Sequence, residues 1–302
     1  MTSSPLGPWR AFKRALKPRL LALHGAYVRR FRAFGDAELL QALRDLGIRA
    51  GDSVMLHSGF GGPHGYRGTI EQLTDVFLAA VGPAGHLLMV SLPYRSSSLQ
   101  YLQQGRRFDV RRTPSMMGLV SEYFRRRPGV LRSLHPTHPV LALGPQAQHI
   151  VAGHEDCLHP CGPGTPFERL VERDGVVAFF DVPFATFTFF HHLEHLVHEH
   201  LPFPLYTDEP FVVPVVDQEG RTRTVTTHVF APEAIRRRRF EHLEQALRQR
   251  GLIRGRRVGN TVVEAVRVRE VVACVEQMRR AGHFFYDLTE TPHHQHEGQA
   301  GR

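Results

Sequence analysis

The sequence predicts an α/β protein: a central, mostly parallel sheet flanked by helices, with a β-hairpin elaboration near residues 211–229. Three observations carry that expectation. The short apolar runs SVMLHS (53–58), HLLMVSL (86–92) and VVAFFDV (176–182) have the length and character of strands buried on both faces. Between the first two lies TIEQLTDVFLAAVG, with the period of a helix, and this β-α-β spacing favours parallel pairing. FVVPVVD, a turn at Gln218–Gly220 and RTRTVTTHV form the hairpin pattern.

The elements follow in order. DAELLQALRDLGI, from Asp36, is an amphipathic helix, and Ala50-Gly51-Asp52 is a loop. Thr69 stands at the N-cap of the next helix, where its hydroxyl can accept a backbone N–H, and Gly82 stands past its end. Residues 93–114 are polar and Arg-rich without a period and read as a long loop. SMMGLVSEYFRRR reads as a helix, HPVLALG as a strand, and 152–166 as a Gly/Pro-rich loop. TFTFFHHLEHLVHEH reads as a turn and a helix, and RFEHLEQALRQRG and VREVVACVEQMRRAG as two amphipathic helices. The expected organisation is a basic arm (1–35), one compact unit (36–288) and a disordered polar tail (289–302).

Hydrophobic residues at 42% and charged residues at 22% allow a sizeable core. The net charge of +9 is unevenly placed. Eight of the 38 Lys and Arg residues precede Asp36, the first acid, and the remainder nearly balance the 29 acids. A body so close to neutral argues against nucleic-acid binding. Within the arm Phe12, Leu16, Leu20 and Leu23 recur at helical spacing, with Pro18 and Gly25 interrupting. An extension packed on the body is expected; the alternative is peripheral contact of residues 1–35 with an anionic membrane. No apolar run approaches the roughly 20 residues of a membrane span. There is no signal-peptide pattern, and Cys157, Cys161 and Cys274 are an odd number, so a cytoplasmic protein without disulfides is expected.

HHLEHLVHEH (191–200) holds five of the twenty histidines. It follows Thr188, giving Thr188-x-x-His191-x-x-Glu194. Residues i and i+3 of a helix share a face, so His191 and Glu194 can address one space. An imidazole is the natural general base near neutral pH, and a neighbouring carboxylate fixes its tautomer. Thr188 could hydrogen-bond a substrate or a developing oxyanion. The bland reading is a helix with surface histidines. A sharper rival is the H-x-x-E-H pattern of zinc peptidases, in His191, Glu194 and His195, which needs a third ligand such as Glu241, Glu244, Glu264 or Glu270. Cys157-x-His159-x-Cys161 lacks the C-x-x-C spacing of a zinc knuckle.

A series of short blocks resembles the aminoglycoside 3-N-acetyltransferases. It runs from Gly51-Asp52-Ser53-Val54-Met55-Leu56-His57-Ser58 and Gly68-Thr69-Ile70 through Phe108-Asp109 and Thr113-Pro114-Ser115-Met116-Met117-Gly118. It continues with Pro128-Gly129-Val130, Arg132-Ser133-Leu134-His135-Pro136 and Gly162-Pro163-Gly164-Thr165-Pro166. Val182-Pro183-Phe184 then leads into the His191 motif, and Val258-Gly259-Asn260 is expected to open the final helix. The blocks keep family-like order from about residue 36 to about 287.

The resemblance implies acetyl transfer from acetyl-CoA, without a metal, to an amine of an aminoglycoside or related amino sugar; beside the zinc peptidase, the alternative is a non-catalytic CoA- or glycan-binding relative. It gives His191 the role of catalytic histidine and Glu194 that of its orienting carboxylate. The absence of cysteine from these blocks favours direct attack over an acyl-enzyme. His57, Ser58, Gly59, Thr113, Pro114, Met117 and Gly118 would line the CoA site, with Arg111 and Arg112 beside its phosphates, and His135 would bind substrate. On its own, Ser58-Gly59-Phe60-Gly61-Gly62 reads equally as a phosphate-cradling loop or a tight turn. The small-molecule acceptor is the expected partner, and self-association is left open. Aminoglycoside-modifying members often carry acids where Thr137 and Ala185 stand and a serine at Pro139. With Phe184, Phe187, Phe189 and Phe190, these neutral residues suggest an apolar approach that suits polycations poorly.

Overall fold

The computed structural model describes residues 20–289, so the expectations for Phe12, Leu16, Pro18 and the tail from 290 onward lie outside the described residues. The chain runs through α1 (Asp36–Asp45), β1 (Ser53–Ser58), α2 (Ile70–Val81), β2 (His86–Val90), α3 (Ser98–Gln103), β3 (Phe108–Asp109) and α4 (Leu119–Arg126). Next come β4 (Leu131–Arg132), β5 (Val140–Leu143), α5 (Ala147–Val151), α6 (Pro166–Glu172), β6 (Val176–Phe180) and α7 (Phe190–Val197). The last part holds β7 (Phe211–Val216), β8 (Thr222–Thr227), α8 (Pro232–Arg237), α9 (Phe240–Gln249), β9 (Arg254–Val258), β10 (Thr261–Arg267) and α10 (Val268–Arg280).

Seven strands form the main sheet in the order β4-β5-β2-β1-β6-β10-β9. β1 pairs in parallel with β2 on one side and β6 on the other. The four outer pairings are antiparallel, which corrects the expectation of a mostly parallel sheet. The reason lies in the connections. A helical crossover joins β1 to β2, whereas seven residues join β4 to β5 and the pair Gly259–Asn260 joins β9 to β10, and links so short permit only antiparallel return. Val258-Gly259-Asn260 is therefore a hairpin turn and does not open the last helix. Gly259 has φ +57°, and a Cβ there would lie 2.4 Å from the Arg32 carbonyl oxygen.

The central strands are apolar throughout because both faces are covered. Met55, Leu88, Val177 and Phe179 pack against α6, α7, α9 and α10, while Val54, Leu56, Leu87 and Phe180 pack against α1, α2 and α4. Thr69 caps α2 as expected, its hydroxyl accepting from Gln72 N at 3.2 Å. The segment 93–114 is less irregular than expected. It contains α3, capped by Ser97, and β3, which joins β7 and β8 in a second sheet. Residues 20–31 are helical straight through Gly25, where an interruption was expected; Gly25 and Val28 are buried against the body, and that packing offsets the poor helix propensity of glycine. Among the described residues no helix is long and apolar enough to cross a membrane.

Candidate active site

β1, β2 and β6 end at the same edge of the sheet, the edge at which α/β proteins tend to build sites. Beyond β6 the chain turns through Asp181, at φ +54°, and a 3-10 turn at Phe184–Thr186 before entering α7. Phe184, Phe187, Phe189 and Phe190 are all buried under this turn, with Phe184 4.9 Å from both Phe179 and Phe187. They seat the start of α7 on the sheet and are core, not the apolar wall of an approach.

α7 then presents His191 and Glu194 on one face. His191 Nδ1 lies 2.7 Å from Glu194 Oε2. Glu194 is completely buried, yet the His191 side chain keeps 21% exposure, so the imidazole can be reached from outside and the carboxylate cannot. Two residues far along the chain complete the shell. Arg238 donates from Nε to Oε1 at 2.5 Å and from Nη2 to Oε2 at 2.9 Å. Tyr286 donates its hydroxyl proton to Oε1. Burial alone would raise the Glu194 pKa, but Arg238 and the His191 bond outweigh it and hold the carboxyl below its ordinary value. An ionised carboxylate only accepts, so Nδ1 of His191 must carry the proton and Nε2 must offer the lone pair. Burial lowers the His191 pKa; Glu194 pulls it back up only in part, and Arg238 lowers it further. Near neutral pH the result is an uncharged imidazole whose free nitrogen is a base.

Around that imidazole stand Phe230, with ring centroids 4.8 Å apart, and His138, edge-on at 5.5 Å. Arg238 lies over the Phe230 ring at 4.9 Å. His135, expected to bind substrate, is fully buried behind this group. Its Nδ1 accepts the backbone N–H groups of Thr137 and His138, its Nε2 meets Thr227 Oγ1 at 3.2 Å, and its ring stacks on His154. It anchors the turn that presents His138. Thr137 is also fully buried, its hydroxyl 3.0 Å from His138 Nδ1, so neither it nor the buried Pro139 faces an acceptor. Ala185 is exposed. Thr188 donates its hydroxyl to the Thr186 carbonyl at 3.3 Å and accepts the His191 N–H through its own carbonyl, so it shapes the entry to α7 without reaching the imidazole.

The residues expected at a CoA site fall into two groups. His57, Ser58 and Gly59 close β1. The His57 ring stacks on Phe179 at 5.4 Å, burial lowers its pKa to about 4, and its Nε2 has no hydrogen-bond partner among the described residues. Gly59 is required locally, since a Cβ would meet the Asp181 carbonyl oxygen at 2.7 Å. Thr113, Pro114, Met117 and Gly118 lie in the stretch before α4. Thr113 Oγ1 accepts from Asp109 N at 2.8 Å, Gly118 caps α4 at φ +118°, and Met117 packs on the core. Glu122 ties this stretch down, accepting from Ser115 N at 2.8 Å. The backbone N–H groups of Arg111 and Arg112 both bond Asp109 Oδ1, leaving two exposed guanidiniums that form no salt bridge among the described residues.

The zinc-peptidase pattern does not assemble. Glu194 is committed to Arg238, and His195 Nδ1 meets the Tyr206 hydroxyl at 3.0 Å. Among the described residues no group of three or more His, Cys, Asp or Glu side chains is arranged to hold a metal ion.

Comparison with known proteins bears on the family and the fold. A profile described as aminoglycoside 3-N-acetyltransferase matches residues 55–280. Aminoglycoside N(3)-acetyltransferase III of Salmonella sp is 30% identical over 168 residues, which is 52% of this chain and 58% of the relative. The chain thus spans little more than half the length of that enzyme. Among solved structures, aminoglycoside acetyltransferase AAC(3)-Xa superposes with a TM-score of 0.70 at 24% identity, covering 85% of this chain and 96% of its own. AAC-IIIb, in a binary structure with CoASH, superposes at 0.68 with 23% identity over 86% of this chain and 99% of its own. At these identities the two structures establish a shared fold.

Proposed function

The chain belongs to the aminoglycoside 3-N-acetyltransferase family, and on that premise we propose that it moves the acetyl group of acetyl-CoA to an amine of an aminoglycoside or related amino sugar, with His191 as general base. The observation that carries the reading is the geometry of His191, with about a fifth of its side chain open to solvent and its Nδ1 bonded to a fully buried carboxylate. Acetyl-CoA supplies an activated acyl group and a thiolate leaving group. An amine is protonated at neutral pH, and only its free form has the lone pair that attacks a carbonyl carbon. His191 Nε2 takes the proton that the amine nitrogen must lose as its C–N bond forms and the C–S bond breaks, and the departing sulfur is protonated in turn. Glu194 stabilises the imidazolium, and Arg238 keeps Glu194 ionised and in register. With Glu194 and Arg238 offsetting each other and His191 neutral, the site carries little net charge before the proton arrives.

The residues present suit a CoA-type ligand. Among the described residues His57 Nε2 is a buried polar atom without a partner at the end of β1, and the exposed Arg111 and Arg112, on the loop before Gly118, form no salt bridge. His57, Ser58 and Gly59 would meet the pantetheine arm, Thr113, Pro114, Met117 and Gly118 would border it, and the two arginines would meet phosphate. That AAC-IIIb was solved with CoASH supports CoA as the class of ligand.

The test is release of free thiol from acetyl-CoA in the presence of amino-sugar acceptors, with mass analysis of the product. His191→Ala should lower kcat by about 10²–10⁴-fold while leaving the fold intact. Thiol release that needs no acceptor, or a variant keeping more than about a tenth of wild-type kcat, would remove His191 from the role.

A further inference from the structure

The helical segment 20–31 is seated on the body by one face only. Val28 and Gly25 are buried. His24 Nε2 lies 3.3 Å from Asn260 Nδ2, and Gly65 lets the loop approach so closely that a Cβ there would stand 2.3 Å from the Arg32 carbonyl oxygen. The face turned away is apolar. Leu20, Leu23, Tyr27 and Phe31 fall on it at helical spacing, all at least half exposed, with Leu23 at 68% and Phe31 at 67%. The Tyr27 and Phe31 rings lie against each other at 5.2 Å. Soluble proteins seldom leave such a contiguous stripe in water without a use.

The charge around the stripe is of one sign. Arg30 stands over the Phe31 ring at 5.8 Å, and Arg29 borders the groove that Arg67 lines on its other side. No acid occurs before Asp36, and the first two acids are occupied: Asp36 accepts from the Tyr66 hydroxyl at 2.6 Å and Glu38 from Gly35 N at 3.1 Å. Five more cations, Arg10, Lys13, Arg14, Lys17 and Arg19, precede the segment in the sequence. A second copy of this face, brought up about a two-fold axis, would set these cations against themselves. A nucleic-acid backbone would match the charge and leave the leucines and phenylalanine in water. An anionic lipid surface matches both, with acyl chains under the stripe and headgroups beside the arginines.

We infer that residues 20–31 dock this protein peripherally on anionic membrane, laying Leu23, Tyr27 and Phe31 into the headgroup boundary. The full chain should float with vesicles of equimolar phosphatidylcholine and phosphatidylglycerol at least about tenfold more than with phosphatidylcholine alone, and raised salt should reverse most of that gain. The double variant Leu23→Glu/Phe31→Glu alters two exposed side chains, so its thermal unfolding and its turnover of a soluble acceptor should match wild type. Its vesicle binding should fall by about tenfold or more. Equal binding to both vesicle types, or a variant that still floats like wild type, overturns the inference. So does a light-scattering mass showing a wild-type dimer that the variant dissolves, since the stripe would then be covered by a second copy.

Discussion

Arg238 grips the carboxylate of Glu194 with two donors, 2.5 Å to one oxygen and 2.9 Å to the other, across 44 residues of sequence. The charge that keeps Glu194 ionised also lowers the pKa of His191. Arg238→Gln should therefore raise the His191 pKa. A base works only when deprotonated, so the acidic limb of the kcat/KM profile should move to higher pH and activity at pH 6 should fall more than activity at pH 8. A profile that keeps its limb and merely drops uniformly would confine Arg238 to a structural part.

Tyr286→Phe removes one donor from the same buried carboxylate and leaves the other three in place. Losing one hydrogen bond to a charged, buried group should cost about 1–3 kcal/mol, measurable by urea unfolding. The acidic limb should move little beside that of Arg238→Gln, because a phenol contributes no net charge. Unchanged stability would mean that water replaces the hydroxyl.

Glu122 accepts from Arg125, Arg126 and Ser115 N, and these partners lower its pKa to about 2 against the opposing effect of burial. A depressed carboxyl stabilises the fold above its unfolded pKa and loses that contribution as pH falls toward the folded value. Wild type should thus shed stability between about pH 4.5 and pH 2, and Glu122→Gln should lack that component. Because Glu122 is partly exposed, the loss at pH 7 should be only about 1 kcal/mol. Glu122→Ala removes the acceptor of Ser115 N altogether, so with that variant KM for acetyl-CoA should rise with little change in kcat. An unaltered KM would separate the stretch 113–118 from that ligand.

His57→Phe tests the orphaned imidazole. If Nε2 serves only as core, replacing it with an apolar ring should be neutral or slightly stabilising, since an unpaired buried polar atom costs about 1–3 kcal/mol. If it meets acetyl-CoA, KM for that substrate should rise several-fold while thermal stability holds or improves. The two readings part on KM alone.

What the sequence made legible follows from the range of each interaction. β1, β2, β6 and the capped α2 carry their pattern within a dozen residues, and so does the i,i+3 pair His191 and Glu194. β9 and β10 carry no such local pattern, since Arg254, Arg256 and Arg257 look like a solvated run and Gly259 reads as a helix start. Arg238 was one of four consecutive arginines with nothing to single it out, and Tyr286 lies 92 residues from its partner. His135 and His138 flank Pro136 and Thr137 almost interchangeably in the sequence. Only the fold decides that the first turns inward to Thr227 and the second out to His191. The phenylalanines before α7 are ambiguous in sequence for the same reason: an apolar residue near a reactive one can line a cleft or support it, and local spacing does not distinguish the two.

The clamp on Glu194 also sets a schedule for synthesis. Its members leave the ribosome in the order His191, Glu194, Arg238 and Tyr286, and the last lies beyond α10, when every strand of the sheet has already emerged. A nascent chain can complete its sheet before it can hold its carboxylate in place. Competence therefore waits until Tyr286 has emerged, and a protease that trims the chain after Arg280 would take a donor from the buried acid together with Phe285 from the core.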